Sequence, residues 1–471
     1  MKKILFVHAK GGVPLEHAIP RLGACGELHV LALVPLPNDA EVGWRAHCRD
    51  VVDCEGRRIR GEELVELIVA RAKAIGADAV VGFSEYVLLA VAHACERLGL
   101  PGPGRNAVLS RDKRLMRERW AERGVPVPAF RRVGSEADLL DAYRALTPPL
   151  LLKPAWGAGS VGQAVIEHED DVAPAWAAVR GALQQLDGYG LGECYETEAP
   201  RQLLAEEIIK GTVDGWYDRP GYGDYLSVEG LVVRGTFHPV AITGRIPTIP
   251  PFTELSSHAP CALSEPLQRR VEDVARRAVD ALSLDTCGTH TEIKLCADGE
   301  LVVIESAARF GGSAITEVVE TVFGVDMVTM LIRELLGEAA DPPSAMLVEG
   351  TGAAAEMSLI GTDTAGRPWR TSPVWDSRTA ELNRLVSPGS HVRHVPGLTV
   401  ADGTAIPAYE PARGITNCAG MLFLTAPTVD QLVTDTYAIL DGLEARLVAA
   451  ASVDARPDGG VGPADAQERS C

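Results

Sequence analysis

Two apolar runs, residues 289–295 (THTEIKL) and 301–306 (LVVIES), flank Asp298-Gly299, and each carries one glutamate, Glu292 and Glu305. Asp-Gly between such runs is a strong hairpin signal, so the two are expected to pair as antiparallel strands. A tight turn there brings both carboxylates to one face. Two carboxylates on one face repel unless a cation joins them, and Mg²⁺ takes a few carboxylates together with substrate phosphate oxygens. The plainer alternative is a solvated strand face. Against it, Glu305 follows four apolar residues and is soon followed by Ala307-Ala308, a setting in which a charge needs a partner.

A second feature lies upstream. In LLLKPAWGAGSVG, residues 150–162, a buried strand ends in Lys153 and a loop follows with Gly157, Gly159, Ser160 and Gly162. Glycines let backbone N–H groups approach phosphate oxygens, and the lysine meets the phosphate charge directly. The lysine precedes the glycines and another strand follows, so this is not a Walker A loop. Taken alone, such a loop is more often a solvated hairpin. Only eight of the 45 basic residues are lysines, however. Where arginine serves for ordinary charge, a retained lysine points to chemistry that a guanidinium does not do. In a third segment, AEEIIKG, Glu206 and Glu207 follow an apolar strand whose backbone offers a donor and an acceptor to a purine edge; by itself that says little.

The surroundings are those of an α/β chain. Over residues 1–103, strands at 4–8, 30–34 and 79–83 alternate with helices at 62–75 and from Glu85 to Glu96, which predicts a parallel sheet. Strands are expected at 130–133, 150–153, 162–167, 203–209, 225–233 and 236–243, and helices at 112–124, 135–146, 170–186, 266–282 and 429–447. The 471 residues, 46% hydrophobic and 23% charged, suffice for several packed lobes. A net charge of −19 argues against nucleic acid or an anionic membrane as partner. No run reaches the ~20 apolar residues of a membrane span, and no signal-peptide core follows Lys2-Lys3. Ten cysteines without a C-x-x-C pair are expected to be reduced thiols of a cytoplasmic protein.

Taken in order, SRDKRLMRERWAERGVPVPAF (110–130), LLLKPAWGAGSVG, LLAEEIIKG, YLSVEGLVVRG (225–235), and GTHTEIKL with LVVIESAARFGG resemble the ATP-grasp superfamily. The resemblance is nearest to its carboxylate–amine ligases of the bacterial L-amino-acid (dipeptide) type. It covers residues 75–335 well, the first 75 loosely, and the C-terminal lobe mainly by position. It implies an ATP-grasp fold with α+β lobes: a Rossmann-like pre-ATP-grasp domain (1–104), an ATP-grasp core (105–336) with a mobile lid (about 128–205), a C-terminal lobe (337–451) and a disordered tail (452–471). The implied cofactors are ATP and Mg²⁺, with Mn²⁺ as the alternative ion. Lys113 and Lys153 would be the paired ATP lysines, and the loop from Gly157 through Gly159 and Ser160 to Gly162 the lid over the phosphates. Glu206, Glu207, Ile208 and Ile209 would hold adenine, Glu292 and Glu305 would ligate the metal, and Arg309 would face the transferred phosphate. Many ATP-grasp chains place an Asn two residues after the second glutamate; here that residue is Ala307, as in the dipeptide-ligase subgroup.

The implied reaction joins an amino-acid carboxylate to the amine of a second amino acid or related metabolite through an acyl-phosphate. Small molecules are the expected partners, and a homodimer is the expected assembly. Substrate candidates are Ser84 and Glu85 at a strand end, Arg245 for a carboxylate or acyl-phosphate, and Gly312 and Ser313 as the wall of a roomy side-chain pocket. Glu229 suits a substrate ammonium about as well as it suits a strand salt bridge. His258 lies beside the Pro-rich stretch 246–257, although such a histidine, like His290, is more often structural. Rival readings are another ATP-grasp chemistry (carboxylation or purine-type ligation) or a non-catalytic ATP-binding regulatory module.

Overall fold

The first strand, β1 (Lys3–His8), is apolar on both faces: Ile4 and Phe6 enter one buried cluster, Leu5 and Val7 another. Such a strand belongs inside a parallel sheet. In the computed structural model β1 sits between β2 (Glu27–Ala32) and β4 (Ala79–Val81), with β3 (Cys48–Asp53) at the edge, all parallel in the order β3-β2-β1-β4. The order reverses at β1 and β4, so the loops leaving them, Lys10-Gly11-Gly12 and Ser84-Glu85, open onto one crevice. The structure describes residues 1–39, 43–54, 56–185, 192–196 and 202–454, without the side chains of 412, 415 and 451–454. The expected tail falls mostly outside these: 455–471 lie outside the described residues, and 452–454 close the last helix.

Helix Leu15–Cys25 and strand β3 were not expected. The helix holds Pro20 and Gly23, which speak against helix locally, but Leu15, Ala18, Ile19 and Leu22 form one buried face, and that burial decides. The helices at Gly61–Ile75 and Leu88–Leu98 follow the expected periodicity, each closed by a left-handed glycine, Gly76 or Gly99.

A second sheet has four strands, β5 (Phe130–Val133), β6 (Leu150–Pro154), β7 (Ala164–Ile166) and β8 (Leu203–Glu207), in the antiparallel order β5-β8-β6-β7. Leu150, Leu152, Leu203 and Ala205 pack beneath helices Glu136–Ala145 and Val172–Gln185. Period-two alternation therefore turns Leu151, Lys153 and Glu206 to the opposite face.

The third sheet has eight strands: β9 (Tyr225–Val233), β10 (Thr236–Arg245), β11 (Ser256–Ala259), β12 (Cys287–Leu295), β13 (Leu301–Ala307), β14 (Ala353–Leu359), β15 (His391–His394) and β16 (Gly420–Ala426). Their order is β13-β12-β9-β10-β11-β14-β16-β15. Leu226, Val228, Ile293 and Val303 pack against the amphipathic helix Glu265–Leu282. Helix Val429–Asp454 covers β14 and β16 through Leu432, Ile439 and Leu443. Gly288 on β12 has a steric role: a Cβ there would lie 2.6 Å from the ring of Phe310, which is fully buried and anchors the backbone beside Arg309. Among the described residues no disulfide forms, and no helix is long and apolar enough to cross a membrane.

Candidate functional site

One face of the third sheet carries a polar row. Glu305 on β13 lies opposite Glu292 on β12, which lies opposite Ser227 on β9, itself opposite Thr243 on β10. Two residues further along β10, Arg245 faces Ser257 on β11, which faces Glu356 on β14. The register explains how Glu305 joins this row. Plain alternation would put it with Leu301 and Val303, on the core side. The pairing instead runs Glu292 with Glu305 and then Ile293 with Val303, so β13 holds one extra residue. That bulge turns Glu305 to the face of Glu292.

The row borders a cavity of about 340 Å³ that all three sheets help to line. The second sheet supplies Lys153, the loop residues Gly157, Gly159 and Ser160, and the segment Glu206, Glu207, Ile208 and Ile209. The first contributes Lys10 to Gly12 and Glu85. Gly12 has a left-handed φ of +82°, and a Cβ there would lie 2.4 Å from the carbonyl oxygen of Phe83, so only glycine lets this loop sit against the β4 end. Lys113, Arg309, Gly312 and Ser313 complete the wall beside Glu292 and Glu305.

Lys113 opens helix Lys113–Glu122, whose first turn is capped by Asp112 accepting from the Arg114 N–H at 2.9 Å. Its Nζ lies 2.9 Å from Glu305 Oε2 and donates to the Gly157 carbonyl at 2.8 Å, tying the glycine loop to the carboxylates. Lys153 pairs directly with Glu206, which also accepts from Arg117 Nε at 3.0 Å. The loop is shut over the cavity, with Ser160 Oγ donating to the Phe252 carbonyl at 3.1 Å. Arg309 pairs with Glu85 and donates from Nη1 to the Phe310 carbonyl at 2.7 Å; Arg111 Nε stands 3.6 Å from Glu85 on its far side.

Burial alone would raise both facing carboxyls, but their surroundings divide them. Lys113, Lys153 and Arg309 override burial at Glu305 and hold it at about 2. Glu292 is raised, by burial and then by the charge of Glu305. A pair split in this way holds negative charge that a cation would neutralise. Among the described residues no three His, Cys, Asp or Glu side chains gather as a metal site of their own.

Several expected contacts need correction. Glu229 does not line the cavity: it is fully buried and accepts from Ser227 Oγ at 2.7 Å, Thr243 Oγ1 at 3.1 Å and His290 Nδ1 at 2.9 Å. Burial lowers His290, but Glu229 outweighs it and lifts the imidazole to about 10, so the glutamate is occupied by an imidazolium. Ser84 supports the wall from behind, its Oγ donating to the Lys10 carbonyl at 2.7 Å. Gly162 sits under Pro154 and Leu183. Arg245 does line the cavity; its Nη atoms donate to Thr243, Gly244 and Ser227, and its buried Nε has no hydrogen-bond partner.

His258 turns away, toward Tyr222, with neither ring nitrogen hydrogen-bonded. Burial and the charge of Arg245 hold it neutral, down at about 3; burial also holds His8 and His17 at about 4. Unfolded histidines titrate at 6.5, so between 6.5 and about 4 the unfolded chain binds protons that the folded chain refuses. Stability is expected to be unaffected by these groups above 6.5 and to fall as pH drops through that window. Thermal midpoints from pH 7 to 4.5 measure this, and His258→Gln should flatten the dependence; an equally steep curve would mean His258 is protonated when folded.

Sequence reasoning missed Glu254 and Glu356, both on the cavity wall. The signal was present for Glu356: it is the one charge in the apolar run AAAEMSL, the same pattern that singled out Glu305.

Residues 146–317 match the ATP-grasp domain family and residues 36–102 the ATP-grasp N-terminal domain family. The chain carries ATP-grasp domains. Among curated relatives, this ATP-grasp chain is 38% identical over 288 residues to the alanine–anticapsin ligase of Bacillus subtilis, covering 61% of this chain and 60% of that one. It is 22% identical to the L-arginine-specific L-amino acid ligase of Bacillus subtilis, over 60% of this chain and 63% of the relative. The ATP-grasp chain thus spans about 60% of the length of the relatives it matches. Among solved structures, the L-amino acid ligase from Bacillus licheniformis superposes with a TM-score of 0.69 at 19% identity, over 93% of this chain and 97% of that one. A biotin carboxylase from Campylobacter jejuni gives 0.62 at 17%, over 91% and 88%. These likenesses establish the ATP-grasp fold.

Proposed function

We propose that this chain is an ATP-dependent ligase that joins the carboxylate of one amino acid to the amine of a second amino acid or related metabolite, releasing ADP and phosphate. The observation that carries the reading is the cross-strand pair Glu292 and Glu305, facing one cavity together with Lys113, Lys153 and Arg309. The donor set fits Mg²⁺ and nucleotide phosphates: two hard carboxylate oxygens with open positions beside them, and two ammonium groups within the same wall. Glu292 and Glu305 would hold Mg²⁺, which would supply positive charge to the phosphate oxygens.

The chain's own residues account for the rest. Lys113 and Lys153 hold phosphate charge beside the glutamates, and residues 206–209 offer backbone to the adenine edge. The carboxylate oxygen of the first substrate attacks the γ-phosphorus, the bond to the bridging oxygen breaks, and ADP leaves. Arg309, steadied by Glu85, meets the charge that develops on the acyl-phosphate and then on the tetrahedral centre formed by the attacking amine. The acyl C–O bond to the phosphate then breaks, and the departing phosphate takes the proton that the amine loses. The loop at 157–161, already shut on Phe252, keeps water from the acyl-phosphate.

Phosphate release and nucleotide analysis with Mg²⁺-ATP and pooled amino acids test this, with mass spectrometry for new amides. ADP and phosphate that depend on amino acids, together with a dipeptide mass, are expected. AMP with pyrophosphate would overturn the acyl-phosphate route.

A further inference from the structure

The amino group of an amino-acid substrate needs a carboxylate, and the residue expected to provide it, Glu229, is consumed by His290. Glu356 has one oxygen left for that task. It lies on β14, in the C-terminal part of the chain, and is only 6% exposed. It lines the cavity, yet its Oε2 has no hydrogen-bond partner. Leaving a carboxylate oxygen buried and unpaired is costly, and such an atom marks where a ligand group completes the bonding.

The neighbours decide which group that is. Burial raises Glu356 to about 7, opposed by a hydrogen bond from Ser257 and by the charge of Arg245, while Glu254 adds to the raising and His290 opposes it. Cys418, on the segment before β16, is in turn raised in part by the charge of Glu356. Arg245 gives Nη hydrogen bonds to Thr243 and Ser227 and, among the described residues, forms no ion pair with Glu356, and Glu254 brings a second carboxylate to the same wall. A positively charged donor completes this arrangement, and an anion would not. Glu356 also shares the sheet face of Glu292 through the row Glu292, Ser227, Thr243 and, two residues along β10, Arg245, Ser257 and Glu356. An amino acid whose carboxylate lies at the metal glutamates carries its ammonium on the adjacent carbon, within the same cavity that Glu356 lines.

Resting on the ligase reading, we infer that Glu356 binds the amino group of the amino acid whose carboxylate is phosphorylated, and so selects amino acids over simple carboxylic acids. It is a specificity-determining contact supplied by the C-terminal lobe.

The test compares, in the full-length enzyme, ADP formation with the donor amino acid and with the same acid bearing hydrogen in place of its amino group (propionate where the donor is L-alanine). Wild type should favour the amino acid, and Glu356→Gln should remove on the order of 10²-fold of that preference through the KM for the amino acid. The KM for ATP and the rate with the desamino acid should stay unchanged. A preference kept in Glu356→Gln, or an equal loss with both acids, overturns the inference. Should the Gln variant fail to bind ADP, Glu356→Asp decides: it keeps the charge but withdraws it, so a weakened preference supports the assignment and an undiminished one refutes it. Wild type forming no ADP with any amino acid would defeat the ligase reading first, and this inference with it.

Discussion

Glu305→Gln is expected to lower turnover on the order of 10³-fold and to leave the chain folded. The amide keeps the shape of the carboxylate but not its charge, and three groups respond. Lys113 loses its 2.9 Å ion partner but retains the Gly157 carbonyl, so the lysine stays in place. Glu292, raised partly by the charge opposite it, ionises more easily. The pair as a whole carries one negative charge fewer, so a divalent cation binds more weakly. The loss should appear in kcat at saturating ATP, with a shift to higher Mg²⁺ concentration for half-maximal activity, while ADP still binds. An unchanged rate with an unchanged Mg²⁺ requirement would remove the glutamate pair from the reaction.

Arg309→Ala should cost on the order of 10²- to 10³-fold in kcat, by removing the donor that meets charge developing at the acyl centre. A second effect must be separated from it. Glu85 is buried and pairs with Arg309; without that partner its carboxylate depends on Arg111, 3.6 Å away. Burial raises Glu85, and Arg309 is the foremost charge holding it down. Breaking such a pair costs on the order of 3 kcal/mol. The double variant Glu85→Gln, Arg309→Ala should recover most of the thermal midpoint and none of the turnover. Recovery of turnover along with stability would make Arg309 a structural residue.

Much of the site was legible because its signals are local. A lysine ending an apolar strand before four small residues, and an Asp-Gly turn between apolar strands, follow from neighbours in sequence, and alternation placed Lys153 and Glu206 off the packed face of their sheet. The parallel first sheet followed for the same reason, since strands apolar on both faces have one place to go. Helix Leu15–Cys25 escaped because its local propensity is poor and the burial that stabilises it comes from β1 and from the helices at Ile315–Phe323 and Met327–Leu335.

The amino-acid sequence by itself therefore determined the fold class, the lysines and the two glutamates as chemical candidates. Tertiary structure decided which carboxylate does what. Alternation assigns Glu305 to the core side, and only the bulge in β13, a matter of register between two strands, turns it to the cavity. Glu229 and Glu356 look alike in sequence, each a lone acid in an apolar strand. They differ because β12 places His290 against the first, whereas β11 and β14 leave one oxygen of the second unpartnered. The charge of a buried carboxylate depends on what lies across the sheet, tens of residues away along the chain, and a local pattern does not contain that distance.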